Sequence, residues 1–121
     1  MLSGIRVLII EDDPLVAATL TDVVEDAGGE AVGIAHSVSE ARRMIRMLTF
    51  DAAVLDLHLS DGDVTPVLEA LRASKAATVV YSGGELSARI RQRHPDLVAL
   101  REPVLPGRLV AEILRAQKMG K

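Results

Sequence analysis

Val7-Leu8-Ile9-Ile10-Glu11-Asp12-Asp13-Pro14 joins a wholly apolar run to three acids and a proline. Four consecutive apolar residues without polar alternation suit a strand covered on both faces, as in a parallel sheet. Asp13 followed by Pro14 reads as a helix N-cap with proline at the first helical position. The stretch therefore predicts a strand that hands over to a helix, with carboxylates at the junction. A second run, Ala52-Ala53-Val54-Leu55, ends in Asp56. If the two strands are neighbours, their acids converge at one edge of the sheet. Such a cluster either repels itself or holds a divalent cation, and one member is then placed to act as a nucleophile.

Outward from these runs, the hydrophobic period switches back and forth. Short apolar runs recur at 6–10, 31–35, 52–55, 78–81 and 97–100, and amphipathic stretches lie between them. The span 14–27 sets Val16, Leu20, Val23, Val24 and Ala27 on one helical face, and Gly28-Gly29 ends it. Ser37 with Glu40 forms a capping box opening a second helix, with Ala41, Ile45 and Leu48 inward. The span 64–74 gives Val64, Val67, Leu68 and Leu71, and Pro66 is tolerable in its first turn. The span 106–117 gives Leu109, Val110, Ile113 and Leu114. The span 85–93 is weakest, anchored by Leu86 and Ile90 alone, and predicts a short or mobile helix. Met119-Gly120-Lys121 reads as a frayed tail.

Five alternations of strand and helix predict an α/β three-layer sandwich with right-handed crossovers. Five strands in about 120 residues fit a flavodoxin-like parallel sheet of order 2-1-3-4-5. Composition agrees with one domain over residues 1–121, with no output domain: 49% of residues are hydrophobic and cysteine is absent. At this length roughly two-thirds of the unfolded surface can be buried, so neither disulfide nor structural metal is required. A net charge of -3 and an aromatic fraction of 2% argue against nucleic acid as a partner. The first strand follows Met1-Leu2-Ser3-Gly4 directly, leaving no room for a signal peptide. No apolar run approaches the roughly 18 residues of a membrane helix. The expectation is a small cytoplasmic domain.

In an open parallel sheet, sites form beyond the carboxyl ends of strands where chain order reverses. In the 2-1-3-4-5 order that point lies between the first and third strands, which carry Glu11, Asp12 and Asp13 opposite Asp56. The fourth strand ends in Ser82-Gly83-Gly84, and the fifth in Arg101-Glu102-Pro103. Hard oxygen ligands of this kind suit Mg2+, which keeps several waters and takes few protein carboxylates. Asp56 is the best-placed nucleophile, since carboxylates form aspartyl-phosphates. Ser82 can donate to a phosphoryl oxygen, and the Gly83 amide can approach one without a side-chain clash.

Val-Leu-Ile-Ile-Glu-Asp-Asp-Pro at 7–14, Asp-Leu-His-Leu-Ser-Asp-Gly at 56–62 and Val-Val-Tyr-Ser-Gly at 79–83 together resemble the receiver domain of bacterial two-component response regulators. The resemblance covers essentially the whole chain; each motif alone is weak, and three in order at matching strand ends are strong. It implies that Asp56 accepts a phosphoryl group from a sensor histidine kinase or a histidine phosphotransfer protein. It implies Mg2+ held by Glu11, Asp12, Asp56 and the backbone carbonyl of His58, with Asp12 the more direct ligand of the acidic pair. Ser82 matches the hydroxyl residue that turns toward the phosphoryl group. A downstream protein partner is implied, and by analogy a homodimer through the last helix and its neighbours.

Two positions depart from that pattern. The family normally carries a lysine before the proline after its fifth strand, where it contacts the phosphoryl group; this chain has Glu102. The aromatic residue often found three positions earlier is Ala99. Two unit charges about 5 Å apart, at an effective dielectric near 20, interact by roughly 3 kcal/mol. Replacing a cation by an anion reverses the sign, so phosphorylated Asp56 beside ionised Glu102 is expected to be less stable than in a typical receiver. Crowding that protonates Glu102 would relieve this. Arg101 points to the opposite face in a regular strand, so only a bent strand end brings it, or Arg108, to the site.

Simpler roles stand beside these. Asp13 reads first as a cap and Asp61, before Gly62, as a turn residue. His36, His58 and His94 lack metal-ligand spacing, and their imidazoles read as surface or turn groups. Arg42, Arg43 and Arg46, and Arg89, Arg91 and Arg93, read as solvated faces. Two other functions compete: a pseudo-receiver that binds proteins without phosphorylation, and a small Mg2+-dependent phosphohydrolase or nuclease. A phosphatase of this type wants a catalytic acid two residues beyond its nucleophile, and position 58 is His.

Overall fold

The structure, a computed structural model, describes residues 1–97 and 99–119. Five strands alternate with five helices: β1 Arg6–Ile10, α1 Pro14–Asp26, β2 Glu30–Ala35, α2 Val38–Met47, β3 Ala52–Asp56, α3 Thr65–Ala73, β4 Ala77–Ser82, α4 Ala88–Arg93, β5 Ala99–Arg101 and α5 Pro106–Met119. The sheet has the order β2-β1-β3-β4-β5, and every pairing is parallel. This is the expected topology, with the order of the chain reversing between β1 and β3.

The apolar runs are explained by burial on both faces. β3 is buried throughout, as is β1 beyond Arg6. Alternate residues feed two cores. Val7, Ile9, Ala52, Val54, Val79 and Tyr81 pack with Leu20 and Val24 of α1 and Leu109 and Ile113 of α5. Leu8, Ile10, Ala53, Leu55 and Val80 pack on the other face with Ala41 of α2 and Val67, Leu68 and Leu71 of α3. The edge strands differ from expectation. β2 is mostly half-buried because it has a neighbour on one side alone, and among the described residues β5 spans Ala99–Arg101.

Local chemistry sets the helix ends. Asp13 caps α1 by accepting from the Leu15 and Val16 amides at 2.9 and 3.4 Å. Gly28, at φ +94°, supplies the left-handed turn after it. The buried face of α1 is Ala17, Leu20 and Val24, so Val16, expected inward, is instead 37% exposed. Ser37 accepts from the Glu40 amide at 3.0 Å, and Glu40 reaches back to the His36 amide at 2.8 Å. α4 begins at Ala88, capped by Ser87, three residues later than 85 and only six residues long. Helix α5 continues to Met119, past the expected 117. Val98 of the 97–100 run and the tail residues Gly120 and Lys121 lie outside the described residues.

Candidate functional site

Parallel pairing of β1 with β3 sets Ile10 beside Leu55, so the residues that follow each strand emerge together. Glu11, Asp12 and Asp56 each offer a carboxylate oxygen, and these oxygens lie within 4.8 Å of one another. Glu11 is 2% exposed and Asp56 5% exposed. Asp13, the third acid of the run, turns away as the cap of α1.

Each carboxylate of the cluster is held by neutral donors. The Tyr81 hydroxyl donates to Glu11 Oε1, and the Asp13 amide donates to Glu11 Oε2 at 2.9 Å. The Ser60 amide donates to Asp12 Oδ2 at 3.1 Å, and the His58 amide donates to Asp56 Oδ1 at 2.9 Å. Among the described residues, Asp56 thus keeps one oxygen without a protein donor. Three converging carboxylates, none with a cationic side-chain donor, form a donor set that fits a hard divalent cation. Glu11, with both oxygens engaged, is the more buried and more fixed member.

Burial pushes the Glu11 carboxyl up to about 7, opposed by the Tyr81 and Asp13 hydrogen bonds and reinforced by the charge of Asp56. Tyr81, fully buried, has its phenol raised well above the usual value by burial, then by the Glu11 hydrogen bond and the nearby carboxylates. It therefore stays a donor. Asp12 is lowered, chiefly by hydrogen bonding from the Ser60 side chain beside it.

The other site residues line the ends of β4 and β5. Ser82 is buried at the end of β4, and its Oγ accepts from the Gly84 amide at 3.1 Å. The Glu102 amide donates to the Ser82 carbonyl at 3.1 Å. The Glu102 carboxylate faces Gly83: a Cβ built there would lie 3.6 Å from Oε2. Glu102 itself is exposed. Neither Arg101 nor Arg108 supplies a replacement cation at the site. Arg101 is exposed, and Arg108 instead pairs with Glu112 at 3.3 Å.

Two features escaped the sequence. The His58 imidazole is not a plain surface group, since its Nε2 lies 2.7 Å from Ser82 Oγ. Tyr81 is more than the end of a strand run: its hydroxyl anchors Glu11. The alternation of β4 carries that signal: Tyr81 shares the sheet face of Val79, and Asp56 stands opposite it in register. Asp61 is in a turn as expected, and also accepts from the Val38 amide at 3.0 Å.

A doubly wound parallel sheet with buried acids at its switch point defines the class of small α/β domains that work at a strand-end acidic pocket. The chain belongs to the response regulator receiver domain family, whose model matches residues 7–82. It is 33% identical to SdrG from Sphingomonas melonis Fr1, covering 94% of this chain and 96% of that one at a TM-score of 0.78. A CheY-like receiver domain protein from Methanospirillum hungatei JF-1 shares the fold, with 23% identity, coverage of 98% and 97%, and a TM-score of 0.83. Two curated relatives are longer. The chain is 37% identical over 91 residues to a protein-glutamate methylesterase/protein-glutamine glutaminase of Myxococcus xanthus, spanning 72% of this chain and 26% of that protein. It is 26% identical to the sensor protein TorS of Escherichia coli, spanning 96% of this chain and 14% of that protein. No helix among the described residues is long and apolar enough to cross a membrane.

Proposed function

We propose that residues 1–121 act as one cytoplasmic receiver domain whose Asp56 accepts a phosphoryl group from a phosphohistidine on a sensor histidine kinase or histidine phosphotransfer protein. The observation that carries this reading is the buried convergence of Glu11, Asp12 and Asp56, with Asp56 held by the His58 amide on one oxygen only. Its other oxygen attacks phosphorus, the O–P bond forms as the P–N bond breaks, and the leaving imidazole takes up a proton from solvent to become a neutral ring. Asp12, Asp56 and the His58 carbonyl would hold Mg2+, with Glu11 beside them, and a bound ion would offset their charge and polarise the incoming phosphoryl group. Ser82 Oγ and the Gly83 amide, at the end of β4, would donate to the phosphoryl oxygens. Signalling then proceeds by contact with a downstream protein, and homodimerisation is one form such contact takes.

Glu102 supports a second reading, a phosphorylation-independent binding module. Its carboxylate faces the Gly83 loop where a cation would assist the phosphoryl group. Transfer from a labelled phosphohistidine protein separates the two. Label should move to wild type and not to Asp56→Asn, and should then be released by hydroxylamine, as an acyl phosphate is. Label that never leaves the donor, with the Mg2+ site filled, favours the binding module.

A further inference from the structure

His58 spans the acceptor and the hydroxyl with one residue. Its amide holds Asp56 Oδ1 at 2.9 Å, and its Nε2 sits 2.7 Å from Ser82 Oγ. The Ser82 hydroxyl accepts in addition from the Gly84 amide at 3.1 Å, and no described hydrogen bond joins it to Asp56. Whichever tautomer the imidazole adopts, one as donor and the other as acceptor, the bond fixes Oγ in the position seen here. Movement of Oγ toward a phosphoryl group on Asp56 breaks it.

We propose that the His58 side chain is a latch on Ser82, a positioning residue that holds the hydroxyl in its resting place and opposes its turn toward the phosphorylated acceptor. The inference rests on the receiver reading above. Space for release is present. His58 and Ser82 both line a cavity of about 480 Å³ that continues to Thr65, Leu86, Arg89 and Ile90. Its outer wall is the short α4 and the loop before it, a wall that can yield to a swinging ring. Because Gly83 and Gly84 follow Ser82, the backbone can accompany the hydroxyl without side-chain obstruction.

The test is the initial rate of phosphoryl incorporation, followed by intact mass, with acetyl phosphate and Mg2+. Wild type is compared with His58→Phe, which keeps a ring without the hydrogen bond, and His58→Gln, whose amide reaches the same point as Nε2. Ser82→Ala and the double variant His58→Phe/Ser82→Ala complete the cycle. One typical net hydrogen bond corresponds to a change of about fivefold in an equilibrium. The expected result is a rate about fivefold faster in His58→Phe, return to the wild-type rate in His58→Gln, and no effect of His58→Phe on the Ser82→Ala background. A His58→Phe effect of equal size without Ser82, or no effect while wild type is phosphorylated, overturns the latch and leaves the receiver reading standing. A silent wild type with a phosphorylated His58→Phe supports a strong latch. Silence in both overturns the latch together with the reading beneath it.

Discussion

The Tyr81 hydroxyl donates to Glu11 Oε1 in the sheet interior, tying the end of β4 to the end of β1 across β3. The phenol is wholly buried and Glu11 is 2% exposed, so neither group can turn to water instead. A carboxylate in such a place depends on its few donors. Tyr81→Phe should therefore destabilise the protein by about 1–3 kcal/mol, the usual cost of orphaning a buried polar partner. It should also push Glu11 further toward its protonated form. Urea unfolding at pH 8 and at pH 5 checks this, with the larger loss expected at pH 8, where Glu11 needs its donor as an anion.

Glu11 also sets a pH dependence with an unusual sign. Its folded value of about 7 lies above its ordinary 4.5, so the folded state binds the extra proton. The ionised form is the one destabilised. Stability from this group therefore falls as pH rises from 4.5 through 7, the reverse of an ion-paired acid. Added Mg2+ should restore stability above pH 7 and do little near pH 5, where the proton already occupies the carboxyl. Thermal melts of wild type and Glu11→Gln across that window, with and without Mg2+, isolate the contribution. Equal slopes for the two proteins would contradict it.

Glu102 faces the Gly83 loop, beside the hydroxyl and the amide proposed to meet the phosphoryl group. Its negative charge should shorten the life of an acyl phosphate on Asp56. Glu102→Lys should lengthen that half-life by about tenfold, equivalent to a little over 1 kcal/mol at the barrier. Solvent exposure keeps the effect well below the bare Coulomb value. Decay of phosphoprotein after removal of the donor measures it, and raised ionic strength should narrow the difference.

Asp61 offers a purely structural prediction. It accepts from the Val38 amide at the first turn of α2, a tie between segments 23 residues apart. Asp61→Ala should cost about 1 kcal/mol, as loss of a helix cap does. Chemical denaturation reads this directly, and phosphoryl incorporation at Asp56 is the companion measurement that shows whether α2 docking matters to the site.

The sheet order and the two-sided cores were legible because apolar runs without alternation have one physical use, burial between helix layers. The acid cluster was legible for the same reason: strand ends point where the topology sends them. Side-chain partners were not. Nothing in the spacing of His58 and Ser82 tells which way an imidazole turns, since that depends on the loop path between Asp56 and Thr65. Tyr81 was hidden by its own β-propensity, which accounts for a tyrosine in a strand without asking what its hydroxyl meets. Val16 faces out because the buried face of α1 runs through Ala17, Leu20 and Val24 at helical spacing.

The most direct test of the central claim is intact mass after incubation with a small phosphoryl donor and Mg2+, for wild type, Asp56→Asn, Glu102→Lys and His58→Phe. The expected result is a gain of one phosphoryl group on wild type, its loss in Asp56→Asn, and a longer-lived adduct in Glu102→Lys. No gain on either wild type or His58→Phe, or an Asp56→Asn variant that gains as much as wild type, would contradict it.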